Sequence, residues 1–310
     1  MRLRNTYINL HPVIKLMIVF TLVFIGLFFS QIFSGIILLL STPADIMNTT
    51  YYPECINVNV LRAIQGISAI FTFLIPAYAV AFISHPDPSH HLRINKKIDY
   101  RETIMVILLM VSCIPVINLM AEWNAALNLP DALDRLEKIM ITMEESAQHM
   151  QEQLLAADNS IGLVVNLIVI AVLPAISEEI LFRGIIQRTL REWLKNPHTA
   201  IIITGFLFSF VHFQFFGFLP RMFLGVLFGY LLYWTGNLWV PILAHFVNNA
   251  AATVWYYLYF KNEKAVPNPD EFGADGANPW LYISIVLFAT ITVVYFYRRG
   301  KIRNASKNQF

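Results

Sequence analysis

The sequence predicts an all-α membrane protein, a polytopic bundle of about eight transmembrane helices with one extracytoplasmic amphipathic helix. Three observations lead to this fold class, and the first is composition. Of the 310 residues, 57% are hydrophobic and only 14% are charged, which is outside the range of ordinary soluble domains. The second is that apolar residues form stretches close to the roughly 20 residues that a helix needs to cross a bilayer. These stretches are 13–40, 61–84, 103–120, 160–187, 199–216, 219–234, 237–260 and 279–297.

The third observation is the distribution of basic residues, which predicts the orientation of the bundle. With both termini placed in the cytoplasm, 16 of the 22 lysines and arginines fall in cytoplasmic segments, as the positive-inside rule requires. The net charge of +2 is too small to indicate nucleic-acid binding. We therefore expect a multi-pass protein of the bacterial inner (plasma) membrane, embedded in the lipid bilayer, with no nucleic-acid partner.

The longest connection between the predicted spans, 121–159, carries a helical pattern of its own. Leu136, Met140, Met143, Ala147 and Met150 recur at intervals of three and four residues, which is typical of an amphipathic helix. We expect this helix to pack on the outer face of the bundle or to lie at the membrane interface. A role of its methionine-rich stripe in binding a partner or a cofactor is the alternative.

The fourth predicted span contains Glu178, Glu179 and Arg183, where side chains compatible with hydrocarbon are expected. Each costs about 2.5–3.5 kcal/mol on insertion scales when it lies near the centre of the membrane. Glu179 and Arg183 are four residues apart with the acid first, which favours an ion pair. Glu178 is rotated by about 100° around the helix and is left for another face. The alternative is a salt-bridged helix end at the cytoplasmic interface.

Two of the eight histidines, His212 and His245, fall inside predicted spans. His212 shares a helix face with Phe208, and His245 shares one with both Asn248 and Asn249, between which spacing does not choose. A single intramembrane histidine is more often a hydrogen-bonding partner between helices than a catalytic group. Two of them, together with a buried glutamate, favour a reactive site.

These residue types predict the hydrolysis of an amide bond by water. Neither Ser177 nor Ser209 has the setting of a nucleophile. We expect Glu178 to abstract a proton from water that His212 helps to hold, while His245 and an asparagine donate to the developing oxyanion. A zinc ion or another divalent metal, bound by Glu178, His212 and His245, is the alternative. The metal-free arrangement is favoured, because the zinc-protease motif H-E-x-x-H is absent.

The ordered set of motifs resembles that of the CAAX protease and bacteriocin-processing family of intramembrane proteases, the CPBP or Abi type. Its eukaryotic members include the type II CAAX prenyl endopeptidase. Three motifs on three predicted spans carry the resemblance: E-E-x-x-x-R as Glu178, Glu179 and Arg183, F-x-x-x-H as Phe208 and His212, and H-x-x-x-N as His245 and Asn249.

The resemblance implies a catalytic set and a role for each of its members. The set consists of Glu178, Glu179, Arg183, His212, His245 and Asn249. The first glutamate is then the base that activates water, assisted by His212, and His245 forms the oxyanion hole with Asn249 rather than Asn248. The resemblance also implies a cavity reached from the cytoplasm and a peptide or membrane-associated protein as substrate. The family is described both as metalloproteases and as glutamate-dependent enzymes. We expect no cofactor, and zinc is the alternative.

With this resemblance the chain divides into three segments. Residues 1–160 are N-terminal transmembrane helices and the outer amphipathic helix, 161–260 are a CPBP-like protease core, and 261–310 are the last transmembrane helix and a basic cytoplasmic tail. The predicted function is that of an intramembrane endopeptidase. A non-catalytic scaffold or bacteriocin-immunity protein of the same fold is one alternative, and a proton-coupled transporter is another. The intact motifs argue against the first, and the lack of internal repeats argues against the second.

Overall fold

The computed structural model describes residues 6–41, 56–127, 129–155, 157, 159–262, 266–273 and 278–301. Within these ranges the regular secondary structure is entirely helical, which confirms the predicted all-α class. The main helices are α1 (Pro12–Ser41), α2 (Val58–Ser84), α3 (Tyr100–Ala125), α4 (Asp134–Leu155), α5 (Ser160–Leu194), α6 (Pro197–Phe210), α7 (Phe218–Thr235), α8 (Trp239–Lys261) and α9 (Pro279–Lys301). A short helix, Pro88–Leu92, lies between α2 and α3.

Six of the described helices are long and apolar enough to cross a membrane, namely α1, α2, α3, α5, α7 and α9. The protein is therefore an integral membrane protein with several spans. The predicted spans 199–216 and 237–260 correspond to α6 and α8. Helix α6 has only 14 residues, because the chain turns after Phe210. Helix α8 has 23 residues but includes a histidine and two asparagines. The total of eight spans stays a prediction.

The amphipathic helix predicted in the long connection is present as α4. Its last residues, Leu154 and Leu155, are buried against the bundle. Most of its apolar stripe is open, since Leu136, Met143 and Met150 remain 47%, 42% and 48% exposed. An open apolar stripe beside a membrane bundle suits a helix that lies in the interface.

Two apolar clusters build the interior of the bundle. The first joins α1, α2, α5 and α6 and includes Val19, Phe182 and Phe208. The second joins α3, α7, α8 and α9 and includes Leu109 and Phe228. Because Phe208 and Phe228 both face the guanidinium of Arg183, the charged residues of α5 lie where the two clusters meet.

Helices α6 and α7 approach each other closely at Gly205 and Gly225. A Cβ atom added to Gly225 would lie 2.9 Å from the Cα atom of Gly205 and 3.1 Å from its carbonyl oxygen. Small residues allow such backbone contact between membrane helices. The contact fixes the backbone of α7 beside the charged residues of α5.

Candidate active site

Helix α5 places three charged side chains inside the bundle. Glu178 is 8% exposed, Glu179 0% and Arg183 1%. Glu178 and Glu179 end an α-helical stretch, and Arg183 lies in the wider π-helical stretch Ile180–Ile186 that follows it. Such local widening is frequent at functional sites. Since buried charges in a membrane must be paired or functional, the partners of each one are informative.

Arg183 and Glu179 form the centre of the site. Arg183 Nη1 donates to Glu179 Oε1 at 2.8 Å, so the ion pair predicted from their spacing is present. Arg183 Nη2 donates to the carbonyl oxygen of Gly225 at 2.8 Å. The guanidinium lies 4.5 Å from the ring centre of Phe208, a distance typical of a cation–π contact. Glu179 Oε1 also lies 3.0 Å from His245 Nδ1. One carboxylate thus holds both a guanidinium and an imidazole.

Glu178 has different surroundings from its neighbour. Its carboxylate makes no side-chain hydrogen bond and no ion pair with any described residue, although charges of His245, Arg183 and Arg221 act on it. It also keeps a small exposure of 8%. Glu178 is therefore the carboxylate of the pair that is left uncommitted.

The structure places His212 in a turn, so the prediction that it lies inside a helix is wrong. Helix α6 ends at Phe210, and Phe213 adopts a left-handed backbone conformation with φ of 51°. His212 Nδ1 lies 2.7 Å from the carbonyl oxygen of Phe208. A carbonyl oxygen only accepts, so Nδ1 carries the proton and Nε2 of the neutral ring is an acceptor.

His245 is held from two sides. Its Nδ1 faces Glu179, and its ring stacks on Phe228 with 5.2 Å between ring centres and 21° between planes. The edge of the ring meets Phe208 at 5.8 Å. These contacts fix the orientation of the ring and leave Nε2 as the nitrogen without a described partner.

Asn249 connects α8 to α5. Its Nδ2 donates to the carbonyl oxygen of Ile170 at 3.0 Å. Ile170 lies in the π-helical stretch Leu167–Val172, and Pro174, four residues later, has no N–H that could compete for its carbonyl oxygen. The side chain of Asn248 donates to Asn249 Oδ1 at 3.2 Å. One amide hydrogen of Asn249 remains for another acceptor.

Three residues of this site were missed by sequence reasoning. Gly225 accepts from Arg183, Phe228 stacks on His245, and Arg221 acts electrostatically on both Glu178 and His212. Gly225 and Phe228 look like ordinary span residues in the sequence. Arg221 is an isolated basic residue at the start of a predicted span, and of the three it is the one that the sequence could have indicated as a site residue.

A cavity of about 1280 Å³ lies at the end of the bundle where α3 ends and α4 packs, and none of the six candidate residues lines it. Arg221 and Gln214 line it and hydrogen-bond to each other at 2.6 Å. Most of the charged groups in its wall are carboxylates: Glu122, Glu144, Glu152, Asp270 and Glu271. The predicted topology puts this end outside the cytoplasm. The family resemblance implies instead that the substrate enters from the cytoplasm. The two expectations conflict if this cavity is the substrate entrance.

The proposed metal ligands do not assemble into a metal site. Among the described residues, no group of three histidine, cysteine, aspartate or glutamate side chains has the geometry to hold a metal ion. Glu178, His212 and His245 therefore do not fit the zinc alternative as they stand, and we derive no step through a metal ion.

The fold and the site together define a class, the polytopic α-helical membrane proteins with a buried centre of carboxylates and imidazoles. Residues 160–251 match the family model described as type II CAAX prenyl endopeptidase Rce1-like. This segment, less than a third of the chain, is thus similar to the CAAX protease family, in agreement with the resemblance predicted from the three motifs. The family is one of peptidases, and the matched segment contains all six candidate residues.

A relative and a search of solved structures add limited information. The chain is 34% identical over 89 residues to the uncharacterized protein YpbD of Bacillus subtilis (strain 168). The match covers 27% of this chain and 42% of that protein, so the chain spans less than half of its length. No solved structure matches the chain significantly.

Proposed function

We propose that this protein is an intramembrane endopeptidase that hydrolyses a peptide bond with water activated by Glu178. The observation that carries the proposal is the contrast between two adjacent carboxylates. Glu179 is committed to Arg183 and His245, whereas Glu178 is nearly buried and has no hydrogen-bond partner among the described residues. A carboxylate with few water contacts and no fixed partner is suited to act as a general base.

The proposed reaction assigns a separate task to each remaining group. Glu178 takes a proton from water, and the oxygen attacks the carbonyl carbon of the scissile bond. His212 Nε2 accepts a hydrogen bond from the same water, because its Nδ1 proton is engaged by Phe208. Glu178 then passes its proton to the leaving amine, so that protons balance over the cycle.

The oxyanion formed in the attack needs donors, and α8 provides them. In the proposed reaction, the imidazolium form of His245, with Nδ1 held by Glu179, donates its Nε2–H to the oxyanion. The second amide hydrogen of Asn249 is the other donor. Arg183 stabilises Glu179 and is thus a positioning residue. The substrate class is a peptide or a membrane-associated protein.

Cleavage of a peptide library by the purified, reconstituted protein tests this proposal. We expect the wild type to cleave, and Glu178→Gln and His212→Ala to lose at least about 100-fold in rate, the usual contribution of a general base. Glu145→Gln, which removes an exposed carboxylate of α4, is the control and should retain full activity. No cleavage by the wild type, or equal cleavage by Glu178→Gln, would contradict the proposal and favour a non-catalytic scaffold.

A separate measurement tests the metal-free mechanism. Turnover should persist after treatment with a strong chelator followed by dialysis. Loss of activity that returns on addition of zinc would overturn the metal-free mechanism while leaving the location of the site intact.

A further inference from the structure

A second polar cavity lies at the opposite end of the bundle from the large one. It is enclosed by the end of α5, the connection between α2 and α3, and the start of α6, and its volume is about 50 Å³. Since one water needs roughly 10–15 Å³ on this measure, the cavity has room for a group of about three to five heavy atoms. The groups in its wall that donate or carry charge are His91, Arg93, Arg183, Gln187, Arg188, Arg191 and Tyr233.

Three of these arginines bring positive charge together without an acidic partner. No carboxylate of the described residues lies within 4 Å of the guanidinium of Arg93, Arg188 or Arg191. Glu192, whose charge acts on Arg188, is already paired with Lys15 at 2.8 Å. The cluster therefore carries an excess of positive charge.

The charges of this cluster are close enough to oppose one another. Burial, and next the positive charge of Arg191, lower the pKa of Arg93. Burial also lowers the pKa of His91 to about 4, with Arg188 as the next largest cause. Such mutual repulsion costs free energy, and a bound anion would offset that cost.

The wall also contains a buried donor without a partner. Arg183 is 1% exposed, and its Nε has no hydrogen-bond partner among the described residues, while its two Nη atoms are occupied by Glu179 and Gly225. A buried N–H without a partner is rare and costly. An acceptor inside the cavity would satisfy it.

We propose that this cavity binds a phosphate group, in the first place that of an anionic phospholipid headgroup. Guanidinium groups match phosphate oxygens in geometry and charge. The cavity lies at the end of the bundle that is predicted to be cytoplasmic, where basic pockets between membrane helices meet anionic headgroups. Arg183 belongs both to this cavity and to the proposed active site, but the test of phosphate binding does not depend on the proposed reaction.

Binding of phosphatidylglycerol to the purified full chain tests the proposal, measured by titration with native mass spectrometry in a neutral detergent. The test variant is Arg93→Gln/Arg191→Gln. The control is Lys96→Gln/Arg298→Gln, which removes two exposed charges at the same end of the bundle. Each basic residue near an anionic surface changes affinity by about fivefold, so we expect the test variant to bind about 25-fold more weakly. The control should stay within about twofold of the wild type.

Further titrations distinguish the sources of the phosphate group. Phosphatidylcholine, which has no net charge, should bind more weakly than phosphatidylglycerol and be insensitive to both double variants. If inorganic phosphate alone binds in an Arg93- and Arg191-dependent manner, the phosphate site stands and its ligand is soluble. Equal weakening in the test and control variants would overturn the proposal, since a general basic surface would then explain the binding. So would the absence of binding by both phosphatidylglycerol and phosphate. Circular dichroism verifies that both double variants are folded.

Discussion

Glu178 and Glu179 are adjacent in the sequence, but only Glu179 has side-chain partners among the described residues. Replacing each glutamate by glutamine distinguishes their contributions to stability. Glu179→Gln leaves the fully buried Arg183 without its counter-charge and replaces the charged acceptor of His245 by a neutral amide. We expect it to destabilise the protein by about 3–5 kcal/mol, the usual cost of breaking a buried ion pair. Glu178→Gln should change stability little, because no described side chain bonds to Glu178. Thermal unfolding in detergent measures both, and equal unfolding temperatures of the two variants would contradict this division.

His91, outside the spans, predicts a pH dependence of stability. Burial and then the charges of Arg188, His85, Lys15 and Arg93 lower its pKa from 6.5 to about 4. A lowered histidine pKa means that the unfolded chain binds a proton more readily than the folded chain, so this contribution to stability falls as pH decreases from about 6.5 towards 4. Going from pH 7 to pH 5 should therefore lower the unfolding temperature more in the wild type than in His91→Gln. An equal drop in both would show that His91 takes no part.

Much of the residue-level site could be predicted because the cost of charge in a membrane makes Glu178, Glu179 and Arg183 conspicuous. Helical spacing then predicted the Glu179–Arg183 ion pair. Spacing did not predict that Glu179 also holds His245, because that contact joins residues 66 positions apart. Helical spacing also did not predict the role of Phe228, because a phenylalanine in a predicted span looks like any other core residue.

At the scale of the elements, the contact of α6 with α7 is the one that the site depends on most. A Cβ atom on Gly225 would meet backbone atoms of Gly205, which do not move aside as a flexible side chain does. Gly225→Ala should therefore separate the helices and displace the carbonyl that accepts from Arg183. We expect a loss of about 1–3 kcal/mol, as for other overpacked cores, together with reduced turnover.

Gly35 in α1 provides the matched control for this substitution. An added Cβ atom there would meet no atom within 4 Å, so Gly35→Ala should be neutral or slightly stabilising, as expected for alanine in a helix. Thermal unfolding and peptide cleavage of the two variants can be compared directly. Similar behaviour of both would mean that the close approach of α6 and α7 is not required.

The ends of elements were predicted less well than their existence. Hydropathy extends the fifth stretch to 216, because Phe213, Phe215 and Phe216 are apolar. The helix nevertheless ends at Phe210, and the following turn contains His212 and places Gln214 in the wall of the large cavity. Apolar composition does not distinguish a helix from an apolar turn, so the position of His212 required the structure.

At the scale of the whole molecule, the conflict between topology and access remains to be tested, and α3 provides the means. Lys97 lies just before its start, and the residues at its other end line the large cavity. A helix of 26 residues is about 39 Å long, enough to put its ends on opposite sides of a bilayer. The distribution of basic residues predicts that Lys97 is cytoplasmic and that the cavity opens on the other side.

Cysteine labelling of intact cells decides between these orientations. Gln151→Cys places a thiol in the wall of the large cavity, and Lys97→Cys places one at the other end of α3. Both are made in a Cys55→Ser background, while the native Cys113 is 0% exposed and should not react. If the positive-inside prediction holds, a membrane-impermeant maleimide labels Gln151→Cys in intact cells and Lys97→Cys only after lysis. The reverse pattern would overturn that topology, place the cavity in the cytoplasm, and make substrate access agree with what the family resemblance implies.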